Sequence, residues 1–269
     1  MKPPSLVLAL FLSLSAPPIA VLSPPAARGD EAAAQPAPAP APAPDVDVDA
    51  VVAGLKSDDD AARLAAAEQA AEVADDAVTR PLARLLTDDR FEIRAASIRA
   101  LGARSSDHAK KDAAKALAAR MSALSKSVHD EGELALTVQA LHDLAQPSTI
   151  RPLLDGIDDS ASEDLYRARV MAVANVPHAD AVDELIQHLA RRGRGKWGGN
   201  KRSVVEALQY ATGERHGADP DTWRAWWKEA KKTFDFGAAA RRRADEAERQ
   251  REREQKRRDR EGRRKQNDG

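Results

Sequence analysis

Six histidines, one glycine-punctuated basic stretch and a dense set of carboxylates are the residues of this 269-residue chain whose types could do chemistry. His108, His129, His142, His178, His188 and His216 are scattered and follow no metal-ligand spacing. His178 and His188, ten positions apart, are expected on different sides of a helix pair. The chain has no cysteine, so it lacks a thiolate nucleophile, a disulfide and a site for lipoprotein-type acylation. The carboxylates concentrate in short turns, where helix capping accounts for them. The stretch RRGRGKWGGNKR, 191–202, contains Gly193-x-Gly195-x-x-Gly198, formally a dinucleotide-binding fingerprint. That fingerprint works only between a strand and a helix of a βαβ unit, and here a helix precedes it. What remains is Arg191, Arg192, Arg194, Lys196, Lys201 and Arg202 around Trp197. Two readings stand: a surface that grips an anionic polymer by charge and stacking, or a turn kept soluble by its charge. No catalytic set, cofactor site or metal site is expected.

The second chemical concentration is aromatic. TGERHGADPDTWRAWWKEAKK, 212–232, holds three of the four tryptophans. Asp219 fits an N-cap and Pro220 the first helical position, where its missing N–H removes no bond. Trp223, Trp226, Trp227, Ala230 and Phe234 then share one face of a helix over 219–235, with Lys228, Lys231 and Lys232 elsewhere. The face is either the seal of a helical array or a stacking platform for sugars and other rings.

The elements that must position these residues are helices. Val48, Val51, Val52 and Leu55 fall at i, i+3, i+4, i+7, as do Ile150, Leu153, Leu154 and Ile157, and no segment alternates long enough for a strand. The helices recur. TRPLARLLTDDRFEIRAASIRALG (79–102) and IRPLLDGIDDSASEDLYRARVMAVANV (150–176) share an Arg-Pro-Leu entry, an Asp-rich turn and a second helix rich in Ala, Val and Ile. Pro81 and Pro152 lie 71 positions apart, two periods of about 35. Residues 47–74 fit the same template, and further pairs begin near Asp107 and Ala179, giving five. The third pair departs from it: its first helix, near 107–127, is long, and its turn lacks the paired aspartates. In the regular turns, Asp88 and Asp89 are expected to cap the following helix, and Arg94 to pair with an acidic turn of a neighbouring repeat.

On these residues, best seen in DDRFEIRAASIRALG, the chain resembles HEAT-repeat proteins over roughly 47–212. The order ALQYATGERHGADPDTWRAWW also resembles a C-terminal signature of HEAT-repeat proteins of planctomycete-type bacteria, with Ala211 where a leucine is usual and His216 where an aromatic is common. The resemblance implies a right-handed α-solenoid of about five helix pairs, closed by the Trp-bearing helix, and a protein-binding role. It brings no established activity.

The flanks differ from this repeat domain, 46–236. Residues 1–27 have the layout of a secretory signal peptide, Lys2 and then an apolar run from about Leu6 to Leu14, too short to span a bilayer. Residues 28–45 are rich in Pro and Ala. QPAPAPAPAP, 35–44, fits an extended polyproline II tether of about 30 Å. Residues 237–269 carry 13 Lys or Arg against 8 Asp or Glu, whereas 45–236 carry 27 against 33. Acid-first i,i+4 pairs such as Asp245/Arg249 and Glu252/Lys256 predict a solvated helix in this tail that packs on nothing. The composite expectation is an exported, monomeric, non-enzymatic scaffold in the periplasm or outside the cell that binds a protein partner. One alternative is an anionic polymer or membrane surface held by 191–202 and the tail. A second is a lyase-type enzyme on HEAT-like repeats. Nucleic acid is disfavoured by export.

Overall fold

The computed structural model describes residues 46–125, 131–191 and 200–267, with side chains as far as Asp259. The signal-like segment, the Pro/Ala linker and His129 lie outside the described residues. The chain divides at Pro44, and everything described belongs to the second unit, Asp45–Gly269.

Among the described residues there are twelve α-helices, three short 3-10 turns and no strand. Asp47 opens the first helix by accepting from the backbone N–H groups of Asp49 and Ala50. The first five pairs are α1 (Val48–Gly54) with α2 (Asp60–Gln69), α3 (Thr79–Leu85) with α4 (Phe91–Gly102), α5 (Asp107–Leu124) with α6 (Glu131–Leu144), α7 (Ile150–Leu154) with α8 (Glu163–Ala174), and α9 (Ala179–Ala190) with α10 (Lys201–Thr212). From the second pair on, first helices stack on first helices, α3 on α5, α5 on α7, and α7 on α9. Second helices stack as α2, α4, α6, α8 and α10 in turn. One continuous apolar core runs through them, from Val51 and Leu55 to Leu208 and Ala211. This is an α-solenoid. Small residues set the helix spacing: a Cβ on Gly102 would meet the Ala140 Cβ at 2.9 Å.

Two further helices continue the stack. α10 stops at Gly213, whose φ of 79° only glycine adopts freely. Asp219 then caps α11 (Pro220–Ala230), accepting from Asp221 N and Thr222 N. α11 packs on α9, and α12 (Phe236–Asn267) packs on α10. α11 and α12 thus occupy the places of a sixth pair. The expectation that the charged tail packs on nothing is overturned at its first two turns. Ala239 is fully buried, and Arg243 donates to the Tyr210 carbonyl at 2.7 Å while its guanidinium lies 4.4 Å from the Tyr210 ring centroid. The rest of α12, as far as its side chains are described, is exposed.

Polar side chains tie successive second helices at both ends. At their N-terminal ends, Arg63 and Arg94 stand at equivalent places in α2 and α4. Each donates from one terminal nitrogen to two carbonyls of its own turn, Ser57 and Asp58 for Arg63, Asp88 and Asp89 for Arg94. Each donates from Nε to an acid of the next pair at 2.9 Å, Asp88 for Arg63 and Glu133 for Arg94. Two expectations change here. Asp88 does not cap α4: its Oδ1 accepts from Arg90 N inside the turn, and Arg90, the residue before the helix, supplies no side-chain cap. Arg94 pairs with a carboxylate in the first turn of α6, because the third pair carries its acid there. Glu133 is 1 % exposed and also takes Arg120, at 2.6 and 2.7 Å.

At the C-terminal ends, Arg104 is buried and donates to the carbonyls of Ala70, Val73 and Ala100. Asn175 donates to the His142 carbonyl and accepts from the Tyr210 hydroxyl, and Arg243 follows on Tyr210. Burial pushes the Arg104 guanidinium below its ordinary pKa against the pull of Asp76. Breaking a buried ion pair from one side strands the other charge. Glu133→Ala should therefore lower unfolding stability by about 3–5 kcal/mol in chemical denaturation, and removing the two arginines as well should recover part of that loss.

Candidate functional site

The terminal aromatic cluster is built on α11 and the turns around it. Trp223 is fully buried and donates from Nε1 to the Gly217 carbonyl at 2.9 Å. Trp227, 3 % exposed, donates from Nε1 to Asp183 Oδ1 on α9 at 2.9 Å, and Lys231 donates to the other oxygen of that carboxylate. The His216 ring stands edge-on to Trp223 at 4.8 Å and beside Trp226 at 5.1 Å. Trp226 is half-buried against Trp227 and Phe234, which meets Phe236 at 4.8 Å. The two fully covered indoles offer no open ring face, so a stacking platform would rest on Trp226 alone.

Of the basic stretch, Arg192, Arg194, Lys196 and Trp197 lie outside the described residues, as do Gly193, Gly195 and Gly198. Arg191 is exposed at the end of α9. Lys201 opens α10 and is exposed. Arg202 is held by Glu206 at 3.0 Å, and the same carboxylate takes Arg167 at 3.0 Å. Asn200 caps α10 through Ser203 N and donates to Glu163 at the start of α8 in the preceding pair. Of the described part of the stretch, Asn200 is tied to a neighbouring helix, while Arg191, Lys201 and Arg202 remain exposed.

The structure brings together a different set. A cavity of about 790 Å³ opens between α5, the turn after α7, and α9. Pro152, Leu154 and Ile157 give it an apolar lining, with Asp155, Asp158, Asp159 and Glu184 and the two arginines Arg151 and Arg191 around them. His188, 8 % exposed, borders it from α9. Its Nε2 is 3.0 Å from the Tyr166 hydroxyl of α8 and 3.8 Å from Asp158 Oδ1. The Tyr166 hydroxyl and His188 Nε2 share one hydrogen bond, and its direction follows the tautomer of the ring. His188 Nδ1 and Asp158 Oδ1 are both buried without a hydrogen-bond partner. Burial pushes the Tyr166 phenol up to about 12, with the Asp158 charge adding to it. Burial also holds His188 below its ordinary value, Asp158 opposing this and Arg191 reinforcing it. Beside the cavity, Arg169 is buried on the carbonyls of Leu153 and Asp155, and burial brings it down to about 10. No group of three or more His, Cys, Asp or Glu among the described residues is placed to hold a metal.

Sequence reasoning passed over His188, Tyr166 and Asp158. The one available signal was His188 itself, a titratable ring directly beside Leu189 and one turn from Leu185 on the buried side of α9.

Residues 48–137, from α1 to the middle of α6, match the HEAT repeats family model. None of the curated proteins compared with the chain matches it. Among solved structures, the designed armadillo repeat protein YIII(Dq)4CqI is 19 % identical, with 62 % of this chain and 82 % of that one covered and a TM-score of 0.40. The fold assignment rests on the chain's own helix order: a helical-repeat α-solenoid, HEAT-like over its first three pairs.

A titration follows from the buried imidazole. The unfolded chain takes up the His188 proton near 6.5, while the folded chain resists it until a lower pH. Between those values the unfolded state binds more protons, so stability falls as pH drops through this window and is unaffected above it. Measured by denaturant midpoints from about pH 7.5 to pH 5, His188→Gln should lose less stability on acidification than the parent chain.

Proposed function

We propose that this chain is a non-enzymatic scaffold that holds a protein partner on its solenoid surface, outside the cytoplasm. The observation that carries the reading is the unbroken stack of second helices, joined end to end by Arg63, Arg94, Arg104, Asn175 and Arg243. Those links make a row of separate helices into one stiff surface, the geometry on which helical repeats build extended binding faces. The HEAT match supports a protein-binding role, and the C-terminal order that resembles planctomycete-type HEAT-repeat proteins supports a bacterial member of that class. The signal-like leader over 1–27 supports export, and the Pro/Ala tether over 28–45 supports a domain held away from a surface or crowded neighbour.

The second reading, an anionic polymer or envelope surface, is favoured by one feature of α12. Arg242, Arg249, Arg253 and Lys256 recur at intervals of seven, four and three and so run along one side of the helix. On that reading, replacing Arg192, Arg194 and Lys196 by serine, or ending the chain after Ala247, weakens polyanion binding. The cut must fall there, because Ala239 and Arg243 belong to the stack.

The two readings separate by salt. Phosphate-like polyanion binding weakens steeply as counterions compete. Crosslinking and capture from envelope fractions should return one protein that stays bound through a high-salt wash and is retained by the chain ending after Ala247. Loss of all bound material with salt, or on removing α12 beyond Ala247, contradicts the scaffold.

A further inference from the structure

We propose that the cavity between α5, α7 and α9 binds the cationic head of an arginine or lysine side chain presented by a protein partner. This deepens the scaffold reading and rests on it for the source of the cation.

Three features of the lining select a cation carried on an alkyl stem. The first is charge. Asp155, Asp158, Asp159 and Glu184 face Arg151 and Arg191, two negative charges in excess with His188 neutral. Arg151 and Arg191 are exposed at the margin, as are Asp155 and Asp159, which leaves the half-buried Asp158 and Glu184 as the charges set deepest in the lining. Asp158 is only 27 % exposed at its side chain, and one of its oxygens is fully covered, so its charge is felt more strongly inside the cavity.

The second is the hydrogen-bond inventory. Asp158 Oδ1 is a buried acceptor without a donor, His188 Nδ1 is buried without a partner, and His188 is itself more than nine-tenths buried. Buried acceptors are ordinarily paired, and a carboxylate pairs best with a charged N–H. Guanidinium and ammonium groups are donors only, so a cationic head in the cavity pairs with the exposed side of the Asp158 carboxylate and places no further acceptor beside the covered Oδ1. The third is shape. Pro152, Leu154 and Ile157 line the same space and suit a methylene stem behind a charged head.

The cavity lies on the stacked first helices, away from the polar links between second helices. A partner segment crossing α5, α7 and α9 could deliver one side chain into it without disturbing the second-helix links.

The test uses the full chain and a capped Gly-Ser-Arg-Ser-Gly peptide, read by the His188 and Tyr166 ring resonances. Both should shift saturably with the arginine peptide and stay in place when citrulline, of the same shape but uncharged, replaces arginine. Asp158→Asn should weaken the peptide by about tenfold or more, and Glu184→Gln by less. A His188 resonance that does not move, an equal response to citrulline, or unchanged affinity in Asp158→Asn overturns the proposal. Equal binding of free L-arginine overturns the assignment to a protein partner. The citrulline comparison needs no variant, so it decides even if Asp158→Asn folds poorly. If the salt-resistant partner is captured equally by Asp158→Asn, the cavity assignment fails and the scaffold stands; if no such partner exists, the scaffold itself fails.

Discussion

A pair of short helices cannot bury its own apolar face, and every pair in this chain depends on the next one for that burial. α3 has seven residues and α7 five, lengths that are not stable as isolated helices. They persist because Leu82, Leu85, Ile150 and Leu153 are covered by neighbours on both sides of the stack. The constraint passes along the array until something ends it. At the C-terminal end that is α11, with Trp223 and Trp227 sealing α9, followed by the opening turns of α12 over α10.

The polar side chains follow from the same constraint. Stacked helices leave carbonyls at their ends, and a stack tight enough to exclude water must satisfy them from within. Arg104 answers four such carbonyls, Arg243 two and Asn175 one, and Arg63 and Arg94 two each in their own turns while reaching an acid of the next pair. These contacts fix how neighbouring pairs sit on each other, which the apolar core alone does not.

Much of this was legible in the sequence, because the responsible signals are local. Apolar residues at helical spacing, the Arg-Pro-Leu entries and the Gly213, Asp219, Pro220 stop and start all act within a few residues of themselves. The parts not legible depend on contacts between pairs. Glu133 is a charged residue in a first turn, a place where solvent exposure is ordinary, and only the approach of Arg94 and Arg120 makes it an interior group. Arg243 sits in a run of three arginines that composition alone assigns to water; the Tyr210 carbonyl, 33 positions earlier, draws it onto the stack. Most of the cavity lining is the single run 151–159, which the repeat pattern assigns to an ordinary helix and turn, and only the approach of α9 with Glu184, His188 and Arg191 makes it one side of a cavity. The basic stretch stood out because its residues are adjacent in sequence, which is what a motif search detects.

Native-state hydrogen exchange, resolved along the chain, tests the central claim most directly. If α11 and α12 complete the stack, amides of α11 and of α12 as far as about Ala247 exchange as slowly as those of α9 and α10. Protection in α12 then falls away beyond that point. Protection that ends at Gly213, with α11 and the whole of α12 exchanging like a free peptide, would contradict a sixth pair and the sealed end on which the rest of the array relies.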